Sequence, residues 1–377
     1  MAKIIILVRI LWTAGAQKIA INEAKTLEKM GHDVKLVFLR RTESAKYLES
    51  ELKGVNFEIF SDKEYRPNRF YSKVTGMFMP DREGEGTVDY DLIKRFANSF
   101  KAKDADYIIC HDQWAGIAGL RVKKIVGIPF SVMIHEHVNE KYDVPLLGWY
   151  AKKIETNVLQ SANTVFGITE KVSNSVRSVY NLNSEPNYPG MDCLECVNYG
   201  EKKDILLASA TWDKDRDPRM YLDIIERLPG YQLYVAGRWR LNDEKSKFEK
   251  VVQRRRLDDR VILTGELSEE ELQDLYIYSK FNIRFDLKPE WGLGTSNVES
   301  ISHLTPIIVN SQLGISNLVL QHGGGKVLEG IDVSNAISFI NENENEINYS
   351  ILQNQLKEIT KKYTWEKHCK KLLIKIT

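Results

Sequence analysis

The sequence predicts an α/β chain of two domains, on three observations. Its 377 residues suit two domains of roughly 150 residues or more, each with its own core. Its N-terminus reads as a βαβ unit: an apolar strand over 4–10, a helical pattern through Lys29, a Gly31-His32 stop and a second strand over 34–39. Far down the chain, Phe281 to Phe285 reads as a buried strand. Glycines 292 and 294 then turn the backbone, and a helix carries Asn297, Glu299 and His303. Pro306 ends the connection ahead of the strand Ile307-Ile308-Val309.

That late stretch organises the chemistry. A glycine turn feeding a helix N-terminus presents free backbone N–H groups and the positive end of the helix dipole, an anion site that phosphate commonly occupies. Thr295 or Ser296 is the expected cap. Glu299 lies about one turn further in, placed to accept hydrogen bonds from hydroxyls beside the phosphate. Phosphate with adjacent hydroxyls describes a nucleotide ribose or a sugar phosphate. The same residues also suit an ordinary strand–turn–helix with a surface Glu.

Composition narrows the classes. The net charge is +1 with both signs abundant, so no global field argues for nucleic acid. Four cysteines in a chain this long do not form a disulfide framework, and a cytoplasmic setting is the expectation. No apolar run approaches the roughly 18 residues of a spanning helix. The N-terminal run 4–8 reads as a first strand rather than a signal peptide, because Arg9 interrupts it and no small-residue cleavage site follows.

In order, the first helical pattern carries Ile19, Ala20, Glu23, Ala24 and Leu27 after Gly15. Val55 to Phe60 is a third strand. Residues 62–89 mix charge and aromatics, among them Tyr65, Arg66, Arg69, Phe70 and Tyr71, with Gly84-Glu85-Gly86 as a loop. Packing on the domain is preferred there, with docking of a lipid-linked or aromatic acceptor, and peripheral contact with the inner face of a membrane, as the alternative. Strands at 106–110 and 129–134 end in His111-Asp112 and His135-Glu136-His137. Strand C-termini are where open α/β sheets hold ligands. His135 and His137 alternate faces on an extended chain and so do not share one metal.

A turn-rich connector over 181–192 precedes Cys193-x-x-Cys196, which lacks a second ligand pair and is weak evidence for zinc. Asp213, Asp215 and Asp217 alternate with Lys214, Arg216 and Arg219 ahead of Pro218 and a helix over 221–228. Helix capping plus a basic loop is the preferred reading, not a metal cage. Residues 231–236 form a strand ending at Gly237, and 244–256 a helix with a solvated basic face. Ser268 with Glu271 is a capping box. Residues 363–366 open a last helix.

The runs Gly292-Leu293-Gly294-Thr295, Asn297-Val298-Glu299-Ser300 and Thr305-Pro306-Ile307-Ile308 together resemble the donor-site signature of retaining glycosyltransferases of family 4. Gly15 resembles the surviving half of that family's N-terminal glycine pair, and Pro189-Gly190-Met191-Asp192 its passage between domains. The resemblance implies the GT-B fold, α/β with two Rossmann-like doubly wound domains facing a cleft. The first would cover 1–185, completed by a C-terminal helix at 363–377, and the second 201–362, with a connector at 186–200. It implies transfer of a sugar from a nucleotide-sugar donor, UDP- or GDP-linked, to a saccharide, lipid-linked or small-molecule hydroxyl with retention, and no cofactor or metal.

Carried onto this chain, His135, Glu290 and Arg216 take the catalytic places. Gly15, Gly237, Gly292, Leu293, Gly294, Thr295, Ser296 and Glu299 line the donor. Arg216 matches the position of the family's diphosphate Lys. The preceding Arg position falls on Thr211, or on Lys214 if the second base is Arg219. His111 and Asp112 are lesser candidates for the acceptor. One position departs. Trp291 stands where the family has its first Glu, and Glu290 sits one residue earlier. That departure keeps a catalytically weak nucleotide-sugar or glycan-binding relative as the alternative. A dinucleotide-dependent oxidoreductase is poorly supported, since no strand is followed by Gly-x-Gly-x-x-Gly.

Overall fold

The computed structural model describes residues 1–11, 15–41, 51–61, 90–136 and 145–374. The chain divides into two compact units, Met1–Pro189 with Trp365–Thr377, and Gly190–Thr364. The first comprises β1 (Lys3–Leu11), α1 (Gly15–Lys29), β2 (Asp33–Arg41), β3 (Phe57–Ser61), α2 (Tyr90–Ser99), β4 (Tyr107–His111), α3 (Asp112–Val126), β5 (Phe130–Ile134), α4 (Pro145–Ser161), β6 (Thr164–Gly167), α5 (Glu170–Tyr180) and β7 (Glu185–Pro186). Its strands pair in parallel in the order β3-β2-β1-β4-β5-β6-β7. β1 is central, and Ile4 to Val8 are all buried. This is the unbroken aliphatic run of a strand covered on both faces.

The second unit begins with β8 (Lys203–Ser209), α6 (Leu222–Glu226), β9 (Gln232–Ala236), α7 (Asn242–Arg254), β10 (Val261–Gly265), α8 (Glu269–Tyr278) and β11 (Ser279–Arg284). It continues through α9 (Thr295–Ser302), β12 (Ile307–Asn310), α10 (Ser316–His322), β13 (Gly325–Leu328), α11 (Val333–Glu342) and α12 (Glu346–Lys362). Its parallel order is β10-β9-β8-β11-β12-β13. Trp212, Tyr221, Phe248, Phe281 and Phe285 fill the core on one face of this sheet. Ser268 and Glu271 form the expected capping box at the start of α8. The last helix, α13 (Trp365–Leu373), belongs to the first unit and packs on α1.

Both sheets reverse strand order once, between β1 and β4 in the first and between β8 and β11 in the second. At such switch points the loops leave in opposite directions and open a crevice at the carboxyl ends of the strands.

Three sequence expectations change. The connector expected at 186–200 is split: Glu185–Pro186 adds an edge strand to the first sheet, and Gly190 onward belongs to the second unit. There the Leu194 N–H donates to Ser302 O at 2.8 Å. The helix expected over 221–228 shortens. Pro218 opens a 3₁₀ turn capped by Asp217, and α6 follows it. Neither Thr295 nor Ser296 caps the donor-stretch helix; Gly294 does, at φ 74°. The stretch 62–89 and His137 lie outside the described residues. All four cysteines are free. Among the described residues no helix is long and apolar enough to cross a membrane.

Candidate functional site

In the second unit the switch point holds a box of four charges. Arg284 ends β11 with its side chain 7% exposed, and its guanidinium donates to Glu290 Oε2 at 2.6 Å, Asp286 Oδ2 at 3.4 Å and Ser296 Oγ at 3.3 Å. Arg216, on the loop after β8, donates to Asp286 Oδ2 at 3.3 Å and to Glu290 Oε1 at 3.2 Å. It is 27% exposed. Two guanidiniums thus share two carboxylates, in a region where charge-assisted hydrogen bonds are strong. Burial pulls the Arg284 pKa down, but Glu290 and Asp286 outweigh it and raise it above the ordinary value. Arg284 Nε and Asp286 Oδ1 are buried without a partner among the described residues.

The glycine turn is fixed from several sides. The Glu290 N–H donates to Gln312 O at 3.0 Å, pinning 290 beside 313. Glu290 from this segment reaches both arginines. Buried Asn297 donates from Nδ2 to Leu293 O at 2.9 Å. Gly294 is required: a Cβ there would meet Arg284 Nη1 at 2.4 Å, and its φ is positive. The first intrahelical bonds come from the N–H groups of Asn297 and Val298, both to Gly294 O. The N–H groups of Thr295 and Ser296 therefore stand at the open end of α9. Glu299 is half-buried one turn in.

The remaining expected donor residues are dispersed. Arg219 turns to Asp217 and Glu244 rather than to the box. Lys214 is exposed. Asp213 caps the loop, accepting from the N–H groups of Asp215 at 2.9 Å and Arg216 at 3.1 Å. Asp215 faces Lys288 at 3.4 Å. The three alternating aspartates thus serve three separate contacts. Gly237 has a structural duty, since a Cβ there would lie 2.0 Å from Ala210 O. Gly15 opens α1; the loop before it, 12–14, lies outside the described residues.

In the first unit the expected histidines belong to a buried chain. Glu23, on the core face of α1, bridges two of them: its Oε2 meets His111 Nε2 at 2.8 Å, and its Oε1 meets His368 Nε2 at 2.7 Å. His111 Nδ1 lies 3.1 Å from His135 Nε2, and the two rings stack. Burial raises the Glu23 pKa, but His111 and His368 overcome this and leave it well below the carboxylate range. Burial holds His135 down to about 3. His111, expected at the acceptor, is 1% exposed with both ring nitrogens engaged. It holds its neighbours and cannot touch a substrate. Asp112 has φ 75° and accepts from the N–H groups of Trp114 and Ala115 at 2.8 Å each. Such a left-handed non-glycine at a strand end is a known mark of functional turns. His135, half-buried after β5, is the member of the chain that reaches the surface.

This architecture has known counterparts. The Anabaena protein HepE bound to UDP matches at 14% identity over 98% of each chain, with a TM-score of 0.76. Sucrose-phosphate synthase of Thermosynechococcus elongatus matches at 15% identity over 98% of this chain and 97% of that one, TM-score 0.73. TarM matches at 12% identity over 100% of this chain and 99% of that one, TM-score 0.77. The fold is GT-B. The sequence model of Glycosyltransferase Family 4 matches residues 13–192, within the first GT-B unit and the start of the second. No curated protein matches the chain. HepE has also been crystallised with UDP-glucose.

Sequence reasoning missed Arg284, Asp286, Glu23 and His368. Arg284 stands between Ile283 and Phe285, and Glu23 shares its helix face with Ala20, Ala24 and Leu27. A charge placed against the pattern is the signal that marks both.

Proposed function

We propose that the chain is a glycosyltransferase that moves a sugar from a UDP- or GDP-linked donor to an acceptor hydroxyl, with retention at the anomeric carbon and without a divalent metal. The observation that carries this reading is the pair of guanidiniums, one buried and one partly exposed, beside a glycine-capped helix N-terminus at the switch point of the second sheet. Arg216 is assigned to the donor diphosphate, turning from Asp286 and Glu290 to phosphate oxygens. Its fork geometry suits phosphate, and its fixed charge offsets what builds on the leaving diphosphate without a metal ion. Thr295 and Ser296 N–H groups bind the same phosphates, Glu299 the ribose hydroxyls, and Lys214 supplies a second mobile cation. Arg284 positions Glu290. His135 meets a hydroxyl of the sugar or acceptor.

Calorimetry with UDP and GDP tests the donor site. One of them is expected to bind equally with and without EDTA, and Glu299→Ala to weaken it by about 1.5–3 kcal/mol. Binding lost in EDTA and restored by manganese would remove the metal-free reading. Retention is read from the anomeric configuration of the product by NMR.

A second reading, a weakly catalytic binding protein, is favoured by one observation: Glu290 is already held by both arginines, and Trp291 occupies the position of the family's Glu. Turnover created by Trp291→Glu where the natural sequence shows none, with Glu290→Gln silent, would establish it.

A further inference from the structure

The buried chain in the first unit fixes its own protons. Tyr188 O, a carbonyl, can only accept, and His368 Nδ1 lies 2.8 Å from it. His368 Nδ1 therefore carries a hydrogen. His368 Nε2 meets Glu23 Oε1 at 2.7 Å, and that contact needs one more proton, on the nitrogen or on the oxygen. A carboxyl group gives up its proton more readily than an imidazolium does, so between Glu23 and His368 the proton sits on nitrogen and His368 is an imidazolium. The carboxylate then also accepts from His111, so His111 Nε2 carries a hydrogen. With its one positive partner already in place, Glu23 has no further charge to balance, and His111 is neutral with a bare Nδ1. That lone pair accepts from His135 Nε2, 3.1 Å away.

We infer that His368 is a positioning residue that sets the tautomer of His135 through Glu23 and His111, so that His135 turns a bare Nδ1, a hydrogen-bond acceptor, toward the hydroxyl it meets. Removing the imidazolium from position 368 leaves the buried carboxylate unbalanced. The nearest base, His111, then takes a proton and donates from Nδ1. His135 must accept with Nε2 and carry its hydrogen on Nδ1, and it becomes a donor.

Among the described residues, the other groups facing the chain do not change this count. Asp112 is met by Arg9 at 4.0 Å and by two backbone N–H groups. Burial pushes the Cys110 and Cys369 thiols up, so both stay neutral. His368 is also tied into the place where the chain leaves the first unit. Asn187 Nδ2 donates to His368 O at 3.3 Å, and Lys371 Nζ donates to Pro186 O at 2.6 Å. The ring is held by its backbone as well as by its partners.

The role of His135 toward a sugar or acceptor hydroxyl rests on the transferase reading above; its tautomer does not. The test is the nitrogen NMR spectrum of the full chain labelled in its seven histidines at neutral pH. The expected pattern is His368 protonated on both nitrogens, with His111 and His135 each protonated on Nε2 alone. In His368→Gln, His111 is expected to gain a proton and the His135 hydrogen to move to Nδ1. A neutral His368 in the natural sequence overturns the inference, as does an unchanged His135 in a folded His368→Gln. Should that variant not fold, the natural spectrum decides alone. The predicted tautomers without any binding of UDP or GDP would sink the transferase reading and leave this inference intact. Nucleotide binding with other tautomers would do the reverse.

Discussion

Each unit buries charge at the carboxyl ends of its strands, with opposite chemistry. In the first, one carboxylate lies between two imidazoles and controls a third. In the second, two guanidiniums share two carboxylates. An imidazole can carry its hydrogen on either ring nitrogen, whereas a guanidinium only donates. The first cluster is therefore suited to placing or withdrawing a proton, and the second to holding a fixed positive field for an anion. Their burial differs as well. Glu23 and the ring of His368 are fully enclosed, while Arg216 and Glu290 keep contact with solvent. The first is closed to solvent, and the second is open to it.

The comparison breaks most visibly at Glu23. Glu23→Ala leaves buried histidine charge without its carboxylate, and loss of one partner of a buried pair costs about 3–5 kcal/mol. Urea denaturation should show a loss of that size. Arg216→Ala should cost no more than about 1 kcal/mol of stability, because the pair is partly solvated. Its effect should fall on turnover, roughly 10²–10³-fold or about 2.7–4 kcal/mol, read as kcat/KM with the preferred donor. A stable Glu23→Ala, or an Arg216→Ala with full turnover, would reverse the assignment of the two clusters.

Acid separates the units next. His135 is held down to about 3 and Glu23 below its ordinary range. An unfolded chain takes up a proton at His135 below about 6.5 that the folded chain refuses. The stability from a neutral His135 is thus complete above about 6.5 and is lost as pH falls toward 3, and that from Glu23 is lost further below its ordinary pKa. By pH 4 the loss should reach roughly 2–3 kcal/mol. In the second unit, burial lowers buried Lys202 to about 7. Its linkage lies on the alkaline side, with stability rising between about 7 and 10.5 as the unfolded chain alone keeps the proton. Hydrogen exchange at pH 4 to 5 should show β4 and β5 opening before β8 and β11. Simultaneous opening would mean that the histidine chain does not govern the first unit.

These clusters also mark where the sequence stopped being readable. Both sheets follow from local signals: an aliphatic run at 4–8, the strand pattern of Phe281, Ile283 and Phe285, glycine turns, Pro306 and the capping box at Ser268. Long-range partners leave no such trace. Glu23 meets His111 at a separation of 88 residues and His368 at 345, and no periodicity within α1 announces either. Arg284 itself stands out between Ile283 and Phe285, but nothing in the strand pattern announces its ion pairs with Asp286 and Glu290. Thr295 and Ser296 looked like caps because hydroxyl residues favour that position. The positive φ at 294 suits glycine better, and it moved the cap one residue upstream.

The smallest expected effect on stability separates two glycines that the sequence treated alike. At Gly237, φ is 109° and a Cβ would lie 2.0 Å from Ala210 O. Gly237→Ala should therefore cost about 1–3 kcal/mol through backbone strain and weaken ligand binding only as the unit loosens. At Gly292 a Cβ meets nothing within 4 Å and φ is not positive, so the protein's own packing does not demand glycine there. Gly292→Ala should leave stability within about 0.5 kcal/mol. If the open space is where a nucleoside diphosphate approaches the backbone beside Arg216, the same methyl group should weaken binding about tenfold, or ~1.4 kcal/mol. Thermal unfolding and calorimetry on the two variants make the comparison. Unchanged affinity in Gly292→Ala would move the ligand away from the glycine turn. It would leave the arginine box and Lys214 as the anchors for the diphosphate.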